Sequence, residues 1–376
     1  MPIIVRFVCL FIFINISLCS DILFNLSDFN SSSRPTSNPY IVAIMVEFEE
    51  EIPDNPLTSG TGSFLSELDI DMVWNQSGLR CDGFILDRPP HNQSYFNAQI
   101  QALSNYYNLA SNNNIDIQWS LISNSDDSSN GYYKLSKTIE HYSYSDIDLS
   151  NLFKESLELA KDDIEQHLLA HPEIDIDDII FTVFHAGISQ DFSFNAFDPT
   201  VYDIKSAYIE SSMFENDLNY PIINGQEITS GILLPETQNM IFFDSIEDIY
   251  YGQDNYCDYQ FGMTSTFAFL MGYALGLPPL FDTDSGNLGV GVFALMDYGS
   301  NNGRGVIPAF PSPWTRILKS WKEPINMTDS SSVNPLIFDI NSNNIYRFDI
   351  SHDEYFLIEN HSNKLDNGQA LIDIVS

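Results

Sequence analysis

Short apolar runs and longer segments of helical spacing alternate along the chain, a pattern that predicts a mixed α/β fold. Tyr40 to Phe48 is an unbroken, β-branched-rich apolar run, as a buried strand is. Pro89 and Pro90 then stop extended structure, and Tyr95, Ile100, Leu103 and Tyr107 fall at the spacing of one helix face. Ile115 to Ile122 alternates like a half-buried strand. A long amphipathic helix is predicted from about Ser150 to Ala170, stopped by Pro172, and Asp178 to Gly187 reads as the next buried strand. Phe261 to Leu275 is apolar nearly all round, the mark of a buried helix. Beyond Pro324 the pattern changes to short strands, PLIFDI, IYRFDI, EYFLIE and ALIDIV, separated by Asn, Ser, Asp and Gly turns. This predicts a small β region over 324–376; because the chain stops on a strand-like segment, a truncated end stays open. There is no internal repeat, heptad run or second hydrophobic span.

Composition narrows the function classes. The 376 residues are 44% hydrophobic and 13% aromatic, enough for a sizeable core. Fifty-two acids against fifteen bases leave a net charge of −37, which repels phosphate backbones and anionic membrane surfaces, so nucleic acid is not an expected partner. At the N-terminus one Arg precedes an apolar run from Phe7 to Leu18 that is too short for a comfortable membrane span and reads as a secretory signal peptide over residues 1–20. Cleavage after Cys19 or Ser20 fits the small-residue rule; the alternative is a lipid anchor on Cys19, the one route to a membrane that this reading leaves. Residues 21–39 follow as a polar, Ser- and Pro-rich linker. In an oxidising compartment Cys81 and Cys257 are a candidate single disulfide, but sequence does not show that they are close.

Several stretches together carry a resemblance. RPPHNQSYFNAQIQALSNYYNLASNN lies near the front, FTVFHAGISQDF and FDPTVYDIKSAYI in the middle, and GILLPETQN before the apolar helix. GLPPLFDTDSGNLGVGVFALMDYGS, PAFPSPWTRILKSW and EYFLIENHSN follow it. In this order, over roughly residues 40 to 362, the chain resembles the immune-inhibitor-A-like family of secreted bacterial zinc metallopeptidases. The resemblance implies an α/β (α+β) fold, with a zincin-like metallopeptidase domain over 40–323 followed by the small β region. The family motif is His-Glu-x-x-His followed by x-x-Gly-Leu-Pro-Asp: two His on one helical face bind zinc, the Glu takes a proton from zinc-bound water, and a side chain past the turn completes the metal site. Aligned on its glycine and Leu-Pro frame, the first His position is Phe269, the Glu position Leu270, the second His position Tyr273 and the Asp position Pro279. Phe, Leu and Pro have no lone pair for zinc, and a Tyr oxygen ligates well only after losing a proton of pKa about 10. No zinc and no intact catalytic residue are therefore expected, while Gly272, Gly276, Leu277 and Pro278 keep the turn and Met296 in FALMDYG resembles the family's methionine turn.

Other candidate chemistry is weaker. His167 and His171 have i, i+4 metal spacing, but Leu168 occupies the Glu position and Pro172 follows at once, so a frayed helix end is the better reading. His185, at a strand end, is the alternative catalytic candidate near the cleft, weighed against an ordinary buried His. Ser189 and Asp191 lack a Gly-x-Ser-x-Gly elbow. Asp282 and Asp284 resemble the start of a calcium loop without its twelfth-position Glu, leaving a structural calcium or an Asp/Gly turn.

The leading expectation is a secreted, extracellular, surface or periplasmic pseudopeptidase that binds a polypeptide or cell-surface component. An active metalloendopeptidase with a non-standard metal site is the alternative, and a structural envelope part is a third class.

Overall fold

The computed structural model describes residues 38–67, 85–127, 129–192, 200–215, 220–242, 260–327, 344–351 and 354–359. The signal peptide, the linker as far as residue 37, Cys19, Cys81, Cys257 and the strands expected in PLIFDI and ALIDIV lie outside the described residues.

The fold is mixed α/β. Its centre is a six-stranded sheet of order β2-β1-β4-β8-β5, in which β3 extends the pairing of β1. The strands are β1 (Tyr40–Glu47), β2 (Gln118–Ile122), β3 (Tyr133–Lys134), β4 (Ile179–Ile188), β5 (Ala207–Ile209) and β8 (Gly231–Thr237). All pairs are parallel except β5 on β8, so the sheet ends in a short antiparallel edge. β1 is apolar from Tyr40 to Val46, and β4 is buried from Phe181 to Ile188 with Thr182 and His185 included, because both faces of the central strands are covered. A two-stranded ribbon, β6 (Ile222–Ile223) with β7 (Gln226–Glu227), precedes β8.

Helix α1 (Gln93–Ala110) covers one face, capped by Asn92, whose side chain accepts the N–H groups of Ser94 and Tyr95. The same face holds Phe184 of β4, stacked on Phe96 of α1 at 4.6 Å and edge-on to Phe267 at 5.7 Å. Phe267 belongs to α4 (Thr264–Ala274). The other face carries α2 (Asp146–Leu159) and α3 (Lys161–Ala170). Gly231 is what lets α2 approach: a Cβ there would fall 2.3 Å from Phe153 Cζ. The single helix expected over 150–170 is thus two, broken at Ala160 where ψ is 0°. The strand expected from Ile115 starts at Gln118, although Ile115 and Ile117 are buried ahead of it.

After α4 the chain passes through α5 (Pro313–Leu318) into a three-stranded sheet of order β11-β10-β9. Its strands are β9 (Ile325–Asn326), β10 (Ile345–Asp349) and β11 (Tyr355–Glu359). Arg316 of α5, 1% exposed, pairs with Glu359 of β11 and ties this sheet to the rest.

Candidate functional site

The helix that carries Phe269, Leu270 and Tyr273 is held from below and at both ends. Tyr107 of α1 donates to the Ala268 carbonyl at 2.6 Å. At the C-terminus Gly276 takes a positive φ of 69°, its N–H reaches Tyr273 O and the Leu277 N–H reaches Gly272 O, both at 2.8 Å. This is a Schellman turn, and the left-handed position explains the glycine. Met296 lies beneath: a Cβ on Gly272 would come within 2.4 Å of its Sδ, and the Leu280 N–H donates to the Met296 carbonyl at 2.8 Å.

A buried polar network fastens the other end. Glu236, at the end of β8 and fully removed from solvent, accepts the Gly187 N–H on Oε1 at 2.7 Å and the Leu65 N–H on Oε2 at 2.9 Å. His91 Nδ1 stands 2.6 Å from the same Oε2, while His91 Nε2 donates to the Asp87 carbonyl at 2.7 Å. A carbonyl only accepts, so Nε2 carries a proton, and the carboxylate favours a second on Nδ1. Burial alone lowers the imidazole pKa, but the hydrogen bond and charge of Glu236, helped by Asp87, raise it above 6.5 on balance. The Asp87 carboxyl accepts Gln99 Nε2 at 3.0 Å, Thr237 Oγ1 at 3.2 Å and the Met263 N–H at 2.9 Å, just ahead of α4. Gln238 continues the network, donating to Asp191 at 2.8 Å and accepting Thr266 Oγ1 at 2.9 Å. With His91 and Glu236 closed to solvent, the pair is a structural tie between loops, sheet and helix. Residue patterning missed it because its members lie far apart in sequence; the one available signal was a Glu inside the apolar stretch GILLPETQN.

The motif positions hold no metal donors suited to zinc. Leu270 and Pro279 are buried; Phe269 and Tyr273 are half-buried, edge-on to each other at 5.1 Å. Burial, assisted by the negative charge of Glu210, pushes the Tyr273 phenol up to about 12, so it stays protonated and a poor ligand at neutral pH. Tyr273 lies nearly parallel to Tyr208 of β5, with centroids 6.1 Å apart, and Phe269 also meets Phe281 at 6.3 Å.

The remaining candidates are dispersed. His185 does not join the motif positions: Phe184 faces α4, and His185, the next residue, turns to the opposite face, edge-on to Phe48 at 5.8 Å. It is fully buried, Nδ1 is 2.8 Å from the Ala186 carbonyl, and burial lowers its pKa to about 4. His167 lies in α3 and His171 caps it, their rings 4.6 Å apart, with His171 on Glu173 at 3.0 Å. Ser189 Oγ accepts the Asp191 N–H at 3.0 Å, and the Asp191 carboxylate is engaged by Ser206 N–H and Gln238. Asp282 closes its own turn, accepting the Asp284 N–H at 3.0 Å, the Ser285 N–H at 3.3 Å and the Ser285 hydroxyl. Among the described residues no group of three or more His, Cys, Asp or Glu side chains is arranged to hold a metal ion.

Compared with known proteins, the chain matches no family model and no curated protein sequence.

Proposed function

We propose that this chain is an exported, catalytically inactive relative of the immune-inhibitor-A-like metallopeptidases, with a zincin-like domain, that binds a polypeptide or another surface component. The observation that supports the reading is that Phe269, Leu270 and Tyr273 on the helix and Pro279 past its Gly276 turn occupy the four motif positions, with Met296 packed beneath Gly272. Three of these side chains have no lone pair to give, and the fourth is a phenol held protonated well above neutral pH. Leu270 has no group that could take a proton from water. The residues at this position therefore do not fit zinc, and no hydrolytic step is assigned to them. What they offer instead is a partly exposed aromatic surface on a rigid helix, which suits binding.

The test is metal analysis of the purified protein with a peptidase assay on the same sample. The expected result is no stoichiometric zinc and intact casein-like and peptide substrates, with or without added zinc. Chelator-sensitive proteolysis accompanied by one bound zinc per chain would overturn the reading.

A further inference from the structure

We propose that the aromatic surface running from β5 across α4 to the loop at 281–293 is a docking site for a basic polypeptide segment, its cationic side chains held between aromatic rings and flanking carboxylates. The inference rests on the reading of the chain as a binding module and names the chemistry of its partner.

Four half-buried rings form a continuous line: Tyr208 beside Tyr273, Tyr273 edge-on to Phe269, and Phe269 against Phe281. Their centroids step by 6.1, 5.1 and 6.3 Å. Carboxylates stand at both ends. Glu210 follows β5 and acts electrostatically on both Tyr208 and Tyr273. Exposed Asp282 and Asp284 follow Phe281 at the other end. Aromatic faces are electron-rich, so rings and carboxylates together favour a cation such as a Lys or Arg side chain.

The line continues into a loop built to present apolar groups. Leu288, Val290, Val292 and Phe293 are 57%, 42%, 51% and 70% exposed. The loop is held by buried Asp297, whose Oδ2 accepts the N–H groups of Gly289, Val290 and Gly291 at 3.0, 2.7 and 2.7 Å. A fixed apolar surface of this kind marks an interaction site. Charge selects the occupant: a second copy of this chain would bring another −37, and anionic lipid or nucleic acid would be repelled in the same way. A basic segment alone gains from the carboxylates, the rings and the net charge together.

The test uses fluorescent peptides of equal length, in which Lys, Glu or Ser alternates with Thr, titrated against the full chain at low salt and read by anisotropy. The Lys peptide is expected to bind and the Glu and Ser peptides not to. Glu210→Gln and Tyr273→Leu should each weaken Lys-peptide binding, about tenfold when combined. Glu210 is exposed, so its variant tests the site even where Tyr273→Leu disturbs packing. Hydrogen exchange should show protection by the Lys peptide over 207–210, 269–274 and 281–293. Equal binding of all three peptides, a footprint elsewhere, or self-association or binding to phosphatidylcholine vesicles in place of peptide binding would each overturn the proposal. Lys peptide that binds at this footprint and is then cleaved would sustain the docking site and overturn the inactive reading. Absence of binding by a zinc-free, non-hydrolytic protein would overturn the docking site alone.

Discussion

His91 Nδ1 lies 2.6 Å from Glu236 Oε2, and neither side chain retains any contact with solvent. The pair joins the loop before α1 to the end of β8, beside the segment that leads into α4. An imidazolium buried against a carboxylate has its pKa raised by the folded state, so it stabilises the fold fully below the ordinary His value of 6.5. That contribution is lost as pH rises through the raised folded value. The denaturation midpoint of the native chain should therefore fall between about pH 6 and alkaline pH relative to His91→Gln. His91→Leu, which leaves Glu236 buried without its partner, should cost about 3–5 kcal/mol at neutral pH. A gap between native chain and His91→Gln that does not change with pH would refute the charged pair.

Gly272 and Met296 form a second tie, because a Cβ on Gly272 would come within 2.4 Å of the Met296 sulfur and force the buried thioether to move. Gly272→Ala should destabilise by about 1–3 kcal/mol through overpacking. Met296→Ala should cost about 2–5 kcal/mol by opening a cavity. The double variant should cost less than the two added together, since the new methyl enters space that the sulfur has left. Strict additivity in chemical denaturation would mean that the helix and Met296 are not in contact.

Sequence pattern revealed the elements whose burial is uniform. The runs at β1 and β4 stand out because nearly all their residues are buried, helix α4 stands out by its apolar composition although Phe269 and Tyr273 are half-buried, and Gly276 is readable from the turn it must make. The break at Ala160 was not legible: Leu149, Leu152, Phe153, Leu157, Ile164 and Leu168 keep helical spacing straight through it, with no Pro or Gly to mark it. Edge strand β5 has only three residues, too few for a period. At the candidate site, the lack of zinc donors at Phe269, Leu270 and Pro279 was plain from residue identity. The ring line was not, because Tyr208 reaches Tyr273 only through the pairing of β5 with β8. His91 and Glu236 are separated by 145 positions, beyond any local pattern.

If the helix keeps a zinc-ready frame, restoring the donor set should recover metal binding. Phe269→His, Leu270→Glu, Tyr273→His and Pro279→Asp together are expected to give measurable zinc uptake, whereas each single change should give none. Circular dichroism must show the fourfold variant folded, because new polar groups in this packing cost about 1–3 kcal/mol each when unpaired. A folded fourfold variant that takes up no zinc would count against the zincin-like frame.

Arg316 and Glu359 decide whether the small sheet stays docked. The guanidinium is 1% exposed and the carboxylate side chain 12%, so Glu359→Ala leaves a buried cation without this carboxylate. The expected loss is about 3–5 kcal/mol. Amide exchange should accelerate in β10 and β11 while the amides of β4 keep their protection. Equal acceleration in β4 would show that the pair supports the whole fold instead of fastening the sheet.

Asp297 links stability to the proposed surface. Its Oδ2 accepts three successive N–H groups from 289–291 and its Oδ1 accepts the Tyr298 N–H at 2.8 Å, so three loop amides depend on a single carboxylate that also caps Tyr298. Asp297→Asn keeps the size but turns an NH2 group toward amide donors, which leaves at least one buried donor unmatched and should cost about 1–3 kcal/mol. The loop that carries Val290, Val292 and Phe293 should then exchange its amides faster, while β4 and β8 are unaffected. Lys-peptide binding should weaken with it, because an unfixed loop must be ordered again on binding. A variant with a released loop and unchanged peptide affinity would confine docking to the ring line of Tyr208, Tyr273, Phe269 and Phe281.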